Sequence, residues 1–351
     1  MDKARMKTMA DRVFRDVSGT MAAGLAWVGT ESGLFRTLAE HGALTSSALA
    51  DASGLVERYV DEWAKGMVAA EYLEYDADKQ TFSLPEEHAF LLASDGTDHF
   101  MGGLFAMGPV LMSVAPQVLQ AFREGGGVRF SDYPDGCREA IDLMNRGNYD
   151  HRFVDYWLAQ LPEVVERLQQ GGSALDLGCG SGRVVAALAK AFPTAAISGV
   201  DPDTASIAVA QAWLEEAGVS GNTSLINATL DQVATNPKFD LICACDVLHD
   251  LPEPGRVLGE VRERLNEGGT FFVVEPRAAD DLNDNINPIG TMFYGFSVFH
   301  CMTQSLAQDG AGLGTCLGPN RTKALIAEAG FSEVEELDIR SPVNSFFVAR
   351  A

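Results

Sequence analysis

The stretch ALDLGCGSG, residues 174–182, decides the fold. In this stretch an apolar strand is followed directly by a glycine-rich turn. Gly178, Gly180 and Gly182 let the backbone turn tightly and leave room for a ligand against the main chain. The helix predicted to follow would offer unpaired N–H groups to an anionic group. A dinucleotide fingerprint has the spacing GxGxxG, but residue 183 is Arg and the third glycine falls one residue early. This register argues against NAD and FAD.

Strand and helix patterns alternate along the C-terminal half of the chain. The apolar runs SALDLG, AAISGV, NTSLIN, FDLICAC and GTFFVVE are separated by amphipathic helical stretches. Such alternation predicts a mostly parallel sheet with helices on both faces. The last two runs, FSEVEELDI and NSFFVAR, predict an antiparallel end of the sheet. Residues 171–351 are therefore predicted to form an α/β, Rossmann-like domain with a long insertion over 277–318.

The N-terminal part of the chain follows a different pattern. Residues 1–95 are predicted to form short helices followed by a hairpin, in which YLEYDADKQTFSL supplies two strands around an Asp-rich turn. Helix, helix and hairpin in this order are the outline of a winged-helix domain. Residues 96–170 are predicted to be helical, to link the two domains and to cover the substrate.

Composition and charge exclude several classes of protein. The 351 residues include 26 Lys and Arg against 49 Asp and Glu, which gives a formal net charge of -23 and makes general nucleic-acid binding unfavourable. Six cysteines without a CxxC pair predict neither a disulfide framework nor a metal site. The charged start of the chain indicates no signal peptide and favours a cytoplasmic protein. The uncharged residues 100–122 contain two prolines, so we predict interior helices there and no membrane span.

Polar residues follow successive strands of the predicted sheet. Asp201 ends the second strand about twenty residues after the glycines, where a carboxylate can accept both hydroxyls of a ribose. Asp203 is predicted to cap the next helix. Asn227 and Ala228 lie where a side-chain amide and a backbone N–H would meet an adenine edge. The full set of cofactor-binding candidates is Asp176, Gly178, Gly180, Gly182, Asp201, Asn227, Ala228 and Asp246.

These motifs together resemble the class I S-adenosylmethionine-dependent methyltransferases over about residues 171–351. The resemblance rests on DLGCGSG, then VD, then NA, then CDVLHDLPEPGRVLGEVRERLNEGGTFFVVEP. It implies S-adenosylmethionine as cofactor and S-adenosylhomocysteine as product. It also implies that the glycine turn lies against the methionine part, that Asp201 holds the ribose, and that Asn227 and Ala228 meet the adenine. The family more often has Asp where this chain has Asn227.

The N-terminal domain limits the resemblance to methyltransferases that carry a winged helix. Winged helix and cofactor domain together are similar to the O-methyltransferases of plant caffeate and bacterial natural-product type, whose winged helix makes a dimer. A nearer likeness, including GAGLG at 310–314, is to mycobacterial-type winged-helix methyltransferases of undefined substrate. The resemblance implies a homodimer that methylates an apolar or aromatic small molecule and does not bind nucleic acid. The acidic character of residues 31–95 agrees with that role.

His249 and Glu275 are the catalytic candidates. In the plant-type enzymes a His-Asp pair at this position supplies the general base for a phenolic hydroxyl, and His249-Asp250 matches the pair. A histidine titrates near neutrality and suits proton removal. Glu275 matches a carboxylate that orients the base. The alternative is that LHDL only starts a helix, with His249 capping it or packing. Methylation of a thiol or carbon without a base, and a noncatalytic ligand-binding regulator, stay open as alternative functions.

A second uncharged segment, residues 285–308, lies in the insertion at the mouth where ligands bind in such sheets. With residues 100–122 it is predicted to form an apolar roof over the acceptor. The alternative is that these side chains are ordinary core or dimer interface. The predicted acceptor-binding residues are Met107, Met292, Phe293, Tyr294, Phe299 and His300.

Overall fold

The computed structural model describes residues 1–351, which divide into two compact units. The first contains Met1–Val110 and Glu139–Asn148, and the second contains Leu111–Arg138 and Tyr149–Ala351. The sequence-based boundaries after residues 95 and 170 stay predictions. No single helix is long and apolar enough to cross a membrane, although Gly102–Ser113 and Ala115–Glu124 pass that test when they are counted together.

The first unit is helical with a small hairpin. Thr45 caps one helix, as its position predicts, because its hydroxyl accepts the Ala48 N–H at 3.2 Å. Backbone hydrogen bonds between Leu44 and Phe82 extend the hairpin on one side. The elements are α1 (Lys3–Glu31), α2 (Leu34–His41), α3 (Ser46–Ser53), α4 (Glu57–Ala69), β1 (Glu74–Asp76), β2 (Thr81–Ser83), α5 (Glu86–Leu92) and α6 (Gly102–Ser113), whose last residues belong to the second unit.

The core of the first unit is built where α1 meets α4. The Phe35 and Trp63 rings pack edge to face with centroids 5.3 Å apart, and the Trp63 Nε1–H donates to the Leu25 carbonyl at 2.8 Å. Gly29 of α1 lies directly under both rings. A Cβ at Gly29 would stand 2.6 Å from Trp63 Cζ2 and 2.7 Å from Phe35 Cε2, so only glycine fits there.

Substituting Gly29→Ala should therefore destabilise the protein. Overpacking a filled core costs about 1–3 kcal/mol, which exceeds the helix propensity of roughly 1 kcal/mol that alanine gains over glycine. The control is Gly24→Ala on the same helix, where a Cβ would meet nothing within 4 Å and a slight stabilisation is expected. Chemical denaturation followed by tryptophan fluorescence measures both. A Gly29→Ala protein as stable as Gly24→Ala would contradict the packing described.

The second unit contains a seven-stranded sheet in the order β5-β4-β3-β6-β7-β9-β8. All neighbouring pairs are parallel except those of β9, which runs antiparallel to both β7 and β8. The predicted α/β fold with an antiparallel end is confirmed. The strands are β3 (Ser173–Leu177), β4 (Ala196–Asp201), β5 (Thr223–Asn227), β6 (Phe239–Cys245), β7 (Leu265–Pro276), β8 (Glu333–Leu337) and β9 (Asn344–Arg350).

Helices cover both faces of this sheet. Alternate residues of the central strands enter different cores: Ala174 and Cys243 lie in one, Leu175 and Ile242 in the other. Cys243 is thus a small core residue. The helices are α7 (Ala115–Glu124), α8 (Gly136–His151, which begins and ends in this unit), α9 (Pro162–Gln169), α10 (Arg183–Ala191), α11 (Thr204–Glu216), α12 (Pro254–Arg264), α13 (Pro288–Phe296), α14 (Met302–Leu306) and α15 (Pro319–Glu328).

The strand order reverses between β3 and β6. From β3 the chain proceeds to β4 and β5 on one side, and then returns to β6 on the other side. The loops that leave β3 and β6 therefore diverge at their carboxyl ends, and such a switch point opens a crevice. The glycine turn follows β3, Asp201 ends β4, and the His249 segment follows β6, so the topology gathers the candidate residues at this edge.

Candidate active site

The glycine turn joins β3 to α10 in the conformation that its sequence predicts. Gly178, Gly180 and Gly182 have φ values of 69°, 49° and 78°, in the left-handed region that side chains disfavour. A Cβ at Gly178 would stand 2.6 Å from Val247 Cγ2, whereas a Cβ at Gly180 would meet nothing within 4 Å. The turn is therefore closely packed on its inner side and open at its middle residue.

Asp201 holds this turn in place. Its Oδ2 accepts the Gly180 N–H at 3.0 Å and its Oδ1 accepts the Asp203 N–H at 2.8 Å. Burial raises the pKa of the Asp201 carboxyl, and the two backbone hydrogen bonds oppose that rise. Each carboxylate oxygen has a second lone pair, so two further donors can bind. Asp176, in the strand before the turn, is also buried, and burial followed by the Asp201 charge raises its pKa well above the usual range.

Arg138 is a residue that the sequence analysis missed. Its Nε and Nη2 donate to the two Asp203 carboxylate oxygens at 2.6 and 2.9 Å. The Arg138 hydrogen bond lowers the pKa of Asp203 to about 2, although burial opposes the shift. Asp203 also caps α11 through the Ser206 N–H at 2.8 Å, as predicted. No local pattern marks Arg138, because its partner lies 65 residues later.

Asn227 and Ala228 lie at the predicted strand end, but their polar groups are engaged within the protein. The Asn227 Nδ2 donates to the carbonyls of Asp201 and Pro202, both at 3.1 Å, and its Oδ1 accepts the Thr204 hydroxyl at 2.8 Å. The Ala228 N–H donates to the Asp201 carbonyl at 3.1 Å. These bonds tie the ends of β4 and β5 together. Contact with an adenine stays a prediction, and it would have to share these groups.

Asp246 follows β6 in a strained conformation. Its φ of 56° is unusual for a residue with a side chain, and such strain concentrates at functional sites. The Tyr149 hydroxyl donates to Asp246 Oδ2 at 2.7 Å. Burial raises the pKa of Asp246 to about 6, although the Tyr149 hydrogen bond opposes the rise. The structure therefore joins Asp246 to Tyr149, a residue that precedes the cofactor domain in the sequence.

His249 and Glu275 are brought together as predicted. His249 is 3 % exposed, and its Nδ1 lies 2.7 Å from Glu275 Oε2. Glu275 Oε1 accepts the Leu248 N–H at 2.9 Å, which fixes the carboxylate. Because Nδ1 faces the Glu275 carboxylate, we assign a proton to Nδ1, and Nε2 lies on the side of Asp250, 3.5 Å from its Oδ1. His249 thus lies in a short turn, Leu248–Asp250, with an orienting partner on the neighbouring strand.

Two carboxylates control the charge of His249. Burial lowers the pKa of the imidazole, but Glu275 and Asp250 raise it, and the pKa lies well above its usual range. The two carboxylates therefore stabilise the imidazolium that forms when Nε2 takes up a proton. Cys301 lies close to this ring. Although burial and Asp250 raise the pKa of the Cys301 thiol, His249 and His300 lower it, and the net shift is downward.

One end of the second predicted roof segment packs within the second unit against residues that follow the first segment, and the roof over an acceptor stays a prediction. The Val128 N–H donates to both the carbonyl and the hydroxyl of Thr303, at 3.2 and 3.1 Å. The Tyr133 hydroxyl donates to the Phe299 carbonyl at 2.6 Å. A Cβ at Gly127 would collide with the Thr303 carbonyl. Residues 127–133 therefore lie directly against residues 299–303.

The individual acceptor candidates have different environments. Phe293 and His300 are buried, Met292 and Phe299 are half-buried, and Tyr294 is exposed. His300 packs edge to face on Tyr133, with centroids 5.1 Å apart. Bonds to Cys137 and Cys301 raise the pKa of His300 to about 10, against the lowering by burial. Met107 belongs to the first unit, where it is buried.

Comparison with known proteins identifies both domains. Residues 20–94 match the family model of the Rv2258c-like winged helix-turn-helix domain, and residues 175–271 match that of a methyltransferase domain. A stretch of 103 residues is 32 % identical to a ubiquinone biosynthesis O-methyltransferase of Thiobacillus denitrificans and covers 29 % of this chain and 43 % of that protein. The chain spans less than half the length of that enzyme and of similar curated relatives.

Solved structures show the same fold over the whole chain. Human N-acetylserotonin methyltransferase in complex with S-adenosylmethionine superimposes with a TM-score of 0.68 at 18 % identity and covers 100 % of this chain and 98 % of its own. Mitomycin 7-O-methyltransferase superimposes with a TM-score of 0.66 at 17 % identity, and both chains are covered fully. The resemblance drawn from the sequence is confirmed: the chain combines an Rv2258c-like winged helix-turn-helix domain with a methyltransferase domain of the class I fold.

Proposed function

We propose that this protein transfers a methyl group from S-adenosylmethionine to a hydroxyl of an apolar or aromatic small molecule, with His249 as general base. The observation that carries the proposal is the 2.7 Å hydrogen bond between His249 Nδ1 and Glu275 Oε2. It lies at the same sheet edge as the glycine turn and Asp201. A histidine oriented by a buried carboxylate is the usual arrangement for removing a proton from a nucleophile.

The residues at the sheet edge fit the cofactor. Asp201 has lone pairs left for two ribose hydroxyls, and the open side of Gly180 admits a ligand against the main chain. Asp246, held by the Tyr149 hydroxyl, offers a carboxylate to the cationic methionine end. When bound, S-adenosylmethionine supplies an activated methyl on a sulfonium. No metal or redox step is required of the residues proposed here for the transfer.

His249 and Glu275 have defined tasks in this reaction. The Nε2 of His249 takes the proton of the acceptor hydroxyl as the oxygen attacks the methyl carbon. Glu275 keeps the other ring proton on Nδ1 and stabilises the imidazolium that forms. In-line displacement needs alignment and exclusion of water more than additional catalytic groups. Residues 299–303, packed against residues 127–133, would cover the acceptor for that purpose.

The identity of the partners belongs to the same proposal. Similar structures are named for small acceptors, N-acetylserotonin and mitomycin, which supports a small-molecule acceptor here. We further propose a cytoplasmic homodimer in which the winged helix makes subunit contacts and does not bind nucleic acid. The excess of acidic over basic residues supports this role of the winged helix.

Calorimetric titration of the dialysed protein tests the cofactor assignment. We expect micromolar binding of S-adenosylmethionine and S-adenosylhomocysteine and no binding of NADH, because the glycine register differs from the dinucleotide fingerprint. Failure of both adenosyl compounds to bind would overturn the proposal. It would favour a noncatalytic regulator, which a gel shift resistant to excess nonspecific DNA would then support.

A further inference from the structure

Three possible metal ligands meet beside the proposed general base. A ring nitrogen of His249, a carboxylate oxygen of Asp250 and the Cys301 sulfur lie within 4.8 Å of one another, and all belong to the second compact unit. His249 Nε2 is 3.5 Å from Asp250 Oδ1. His249 and Cys301 are buried, and Asp250 is partly buried. The three groups are an imidazole, a carboxylate and a thiol, which is a donor set that zinc accepts.

The distances suit a tetrahedral ion. Metal–ligand bonds of about 2.0–2.3 Å in a tetrahedron place the ligand atoms roughly 3.3–3.8 Å apart. The Nε2–Oδ1 distance of 3.5 Å already falls in that range. The sulfur lies within 4.8 Å of the other two ligand atoms, so a shift of about 1 Å or less brings it into that range. Three protein ligands leave the fourth position open, as in catalytic zinc sites.

A second observation points to a ligand at the same place. Asp250 Oδ1 is buried and has no hydrogen-bond partner. Leaving a buried polar atom unpaired costs about 1–3 kcal/mol and more for a charged group, and native structures contain few such atoms. A cation bound to this oxygen would remove that cost.

Neighbouring side chains contact the His249 and Cys301 ligands and orient them. Glu275 occupies His249 Nδ1 at 2.7 Å, and this carboxylate–histidine pairing is typical of histidines that bind metals through the other nitrogen. His300 Nδ1 lies 3.6 Å from Cys301 Sγ, within hydrogen-bonding reach of sulfur. The outer contacts thus fix both the imidazole and the thiol.

We propose that His249, Asp250 and Cys301 form a binding site for one divalent metal ion of the zinc class. A thiolate and a carboxylate together balance the two positive charges. The sulfur and nitrogen ligands favour zinc or cobalt over magnesium or calcium. A metal bound to His249 Nε2 uses the lone pair that proton removal needs. His249 therefore cannot act as a general base while the metal is bound. Binding of the ion does not depend on the proposed methyl transfer, whereas its effect on the base rests on that proposed function.

The sequence predicted no metal site, and the reason is separation along the chain. Cys301 lies 51 residues after Asp250 and is carried by the turn Ser297–Cys301 of the insertion. No CxxC or closely spaced His and Cys pattern is needed when two distant segments supply the ligands. Only the packing of this turn against the His249 segment reveals the cluster.

Metal-free full-length protein, prepared by dialysis against a chelator, tests the site without cofactor or acceptor. We expect one equivalent of Zn²⁺ to bind in calorimetry. Co²⁺ should give the visible absorption of tetrahedral cobalt with a thiolate-to-metal band in the near ultraviolet. Cys301→Ser should abolish that band, and Asp250→Asn should weaken Zn²⁺ binding at least about tenfold. Cys245→Ser is the matched control, because Cys245 packs on the other side of the sheet and should keep the band.

The proposed metal site is overturned if no stoichiometric Zn²⁺ binds, or if both variants bind Zn²⁺ with the affinity of the unsubstituted protein. Asp250→Asn preserves side-chain size at a partly exposed position, so it decides the matter if Cys301→Ser does not fold. Because neither S-adenosylmethionine nor an acceptor is present, failure of the metal site is distinguishable from failure of the proposed methyl transfer.

Discussion

Substituting Asp201→Ala should weaken S-adenosylmethionine binding by at least about a hundredfold. The change would remove the two charge-assisted hydrogen bonds that we propose to the ribose hydroxyls, each contributing about 1.5–3 kcal/mol. Each 1.4 kcal/mol is a factor of ten in affinity. The substitution also frees the Gly180 N–H, which Asp201 Oδ2 holds at 3.0 Å, so the glycine turn loses its anchor. The two losses act on the same ligand and in the same direction.

Calorimetry with S-adenosylhomocysteine measures this effect without turnover. Asp201→Asn is a graded variant, since its amide oxygen still accepts a backbone N–H but has no charge. Its affinity for S-adenosylhomocysteine should lie between those of the unsubstituted protein and Asp201→Ala. Asp338→Ala, at an exposed position after β8, is the control. It should bind S-adenosylhomocysteine with the affinity of the unsubstituted protein. If folded Asp201→Ala binds within twofold of the unsubstituted protein, the ribose site is misplaced.

Much of the fold was predictable because its signals are local. The apolar strand before Gly178 and the glycines that need positive φ are adjacent in sequence, so a short window contains the whole strand–turn–helix unit. The antiparallel pairing of Asn344–Arg350 also follows from two short runs near the end of the chain. Periodicity and turn chemistry decide such features, and both can be recognised without knowing the tertiary structure.

The meeting of His249 with Glu275 was predictable for a different reason. Parallel strands end at one edge of the sheet, so residues that directly follow neighbouring strands must lie close together. β6 and β7 are neighbours, and their carboxyl ends carry the two residues. The family resemblance supplied the pairing of the two residues, and the observed strand order explains it.

Contacts between distant segments of the chain could not be predicted. Arg138 reaches Asp203 across 65 residues, and no local pattern around Arg138 marks the contact. The engagement of Asn227 with the carbonyls of Asp201 and Pro202 depends on how the ends of β4 and β5 approach each other. Such contacts are decided by tertiary packing, for which a single sequence gives only residue types.

Replacing His249 by Ala should reduce turnover by at least a factor of about one hundred, because general bases contribute roughly 10²–10⁴ to rates. The affinity for S-adenosylmethionine should stay within twofold, since His249 is assigned to the acceptor proton. Glu275→Gln should reduce turnover at least about tenfold. A glutamine has one amide oxygen for the two partners that Glu275 now binds, the Leu248 N–H and His249 Nδ1, and it does not stabilise the imidazolium by charge.

Turnover is measured as S-adenosylhomocysteine formed with an acceptor found by screening phenols, thiols and lipophilic acids, in the presence of a chelator so that no metal occupies Nε2. His41→Ala, at the exposed end of α2 in the first unit, is the matched control and should be as active as the unsubstituted protein.

Near-normal turnover of His249→Ala with a thiol or carbon acceptor would discard the base and favour S- or C-methylation, because those acceptors can attack the methyl without a histidine. A large loss in both His249→Ala and Glu275→Gln, with cofactor affinity unchanged, would instead place the proton transfer on the 2.7 Å pair. A structural role of the pair would also lower stability, so thermal unfolding of the variants separates the two explanations.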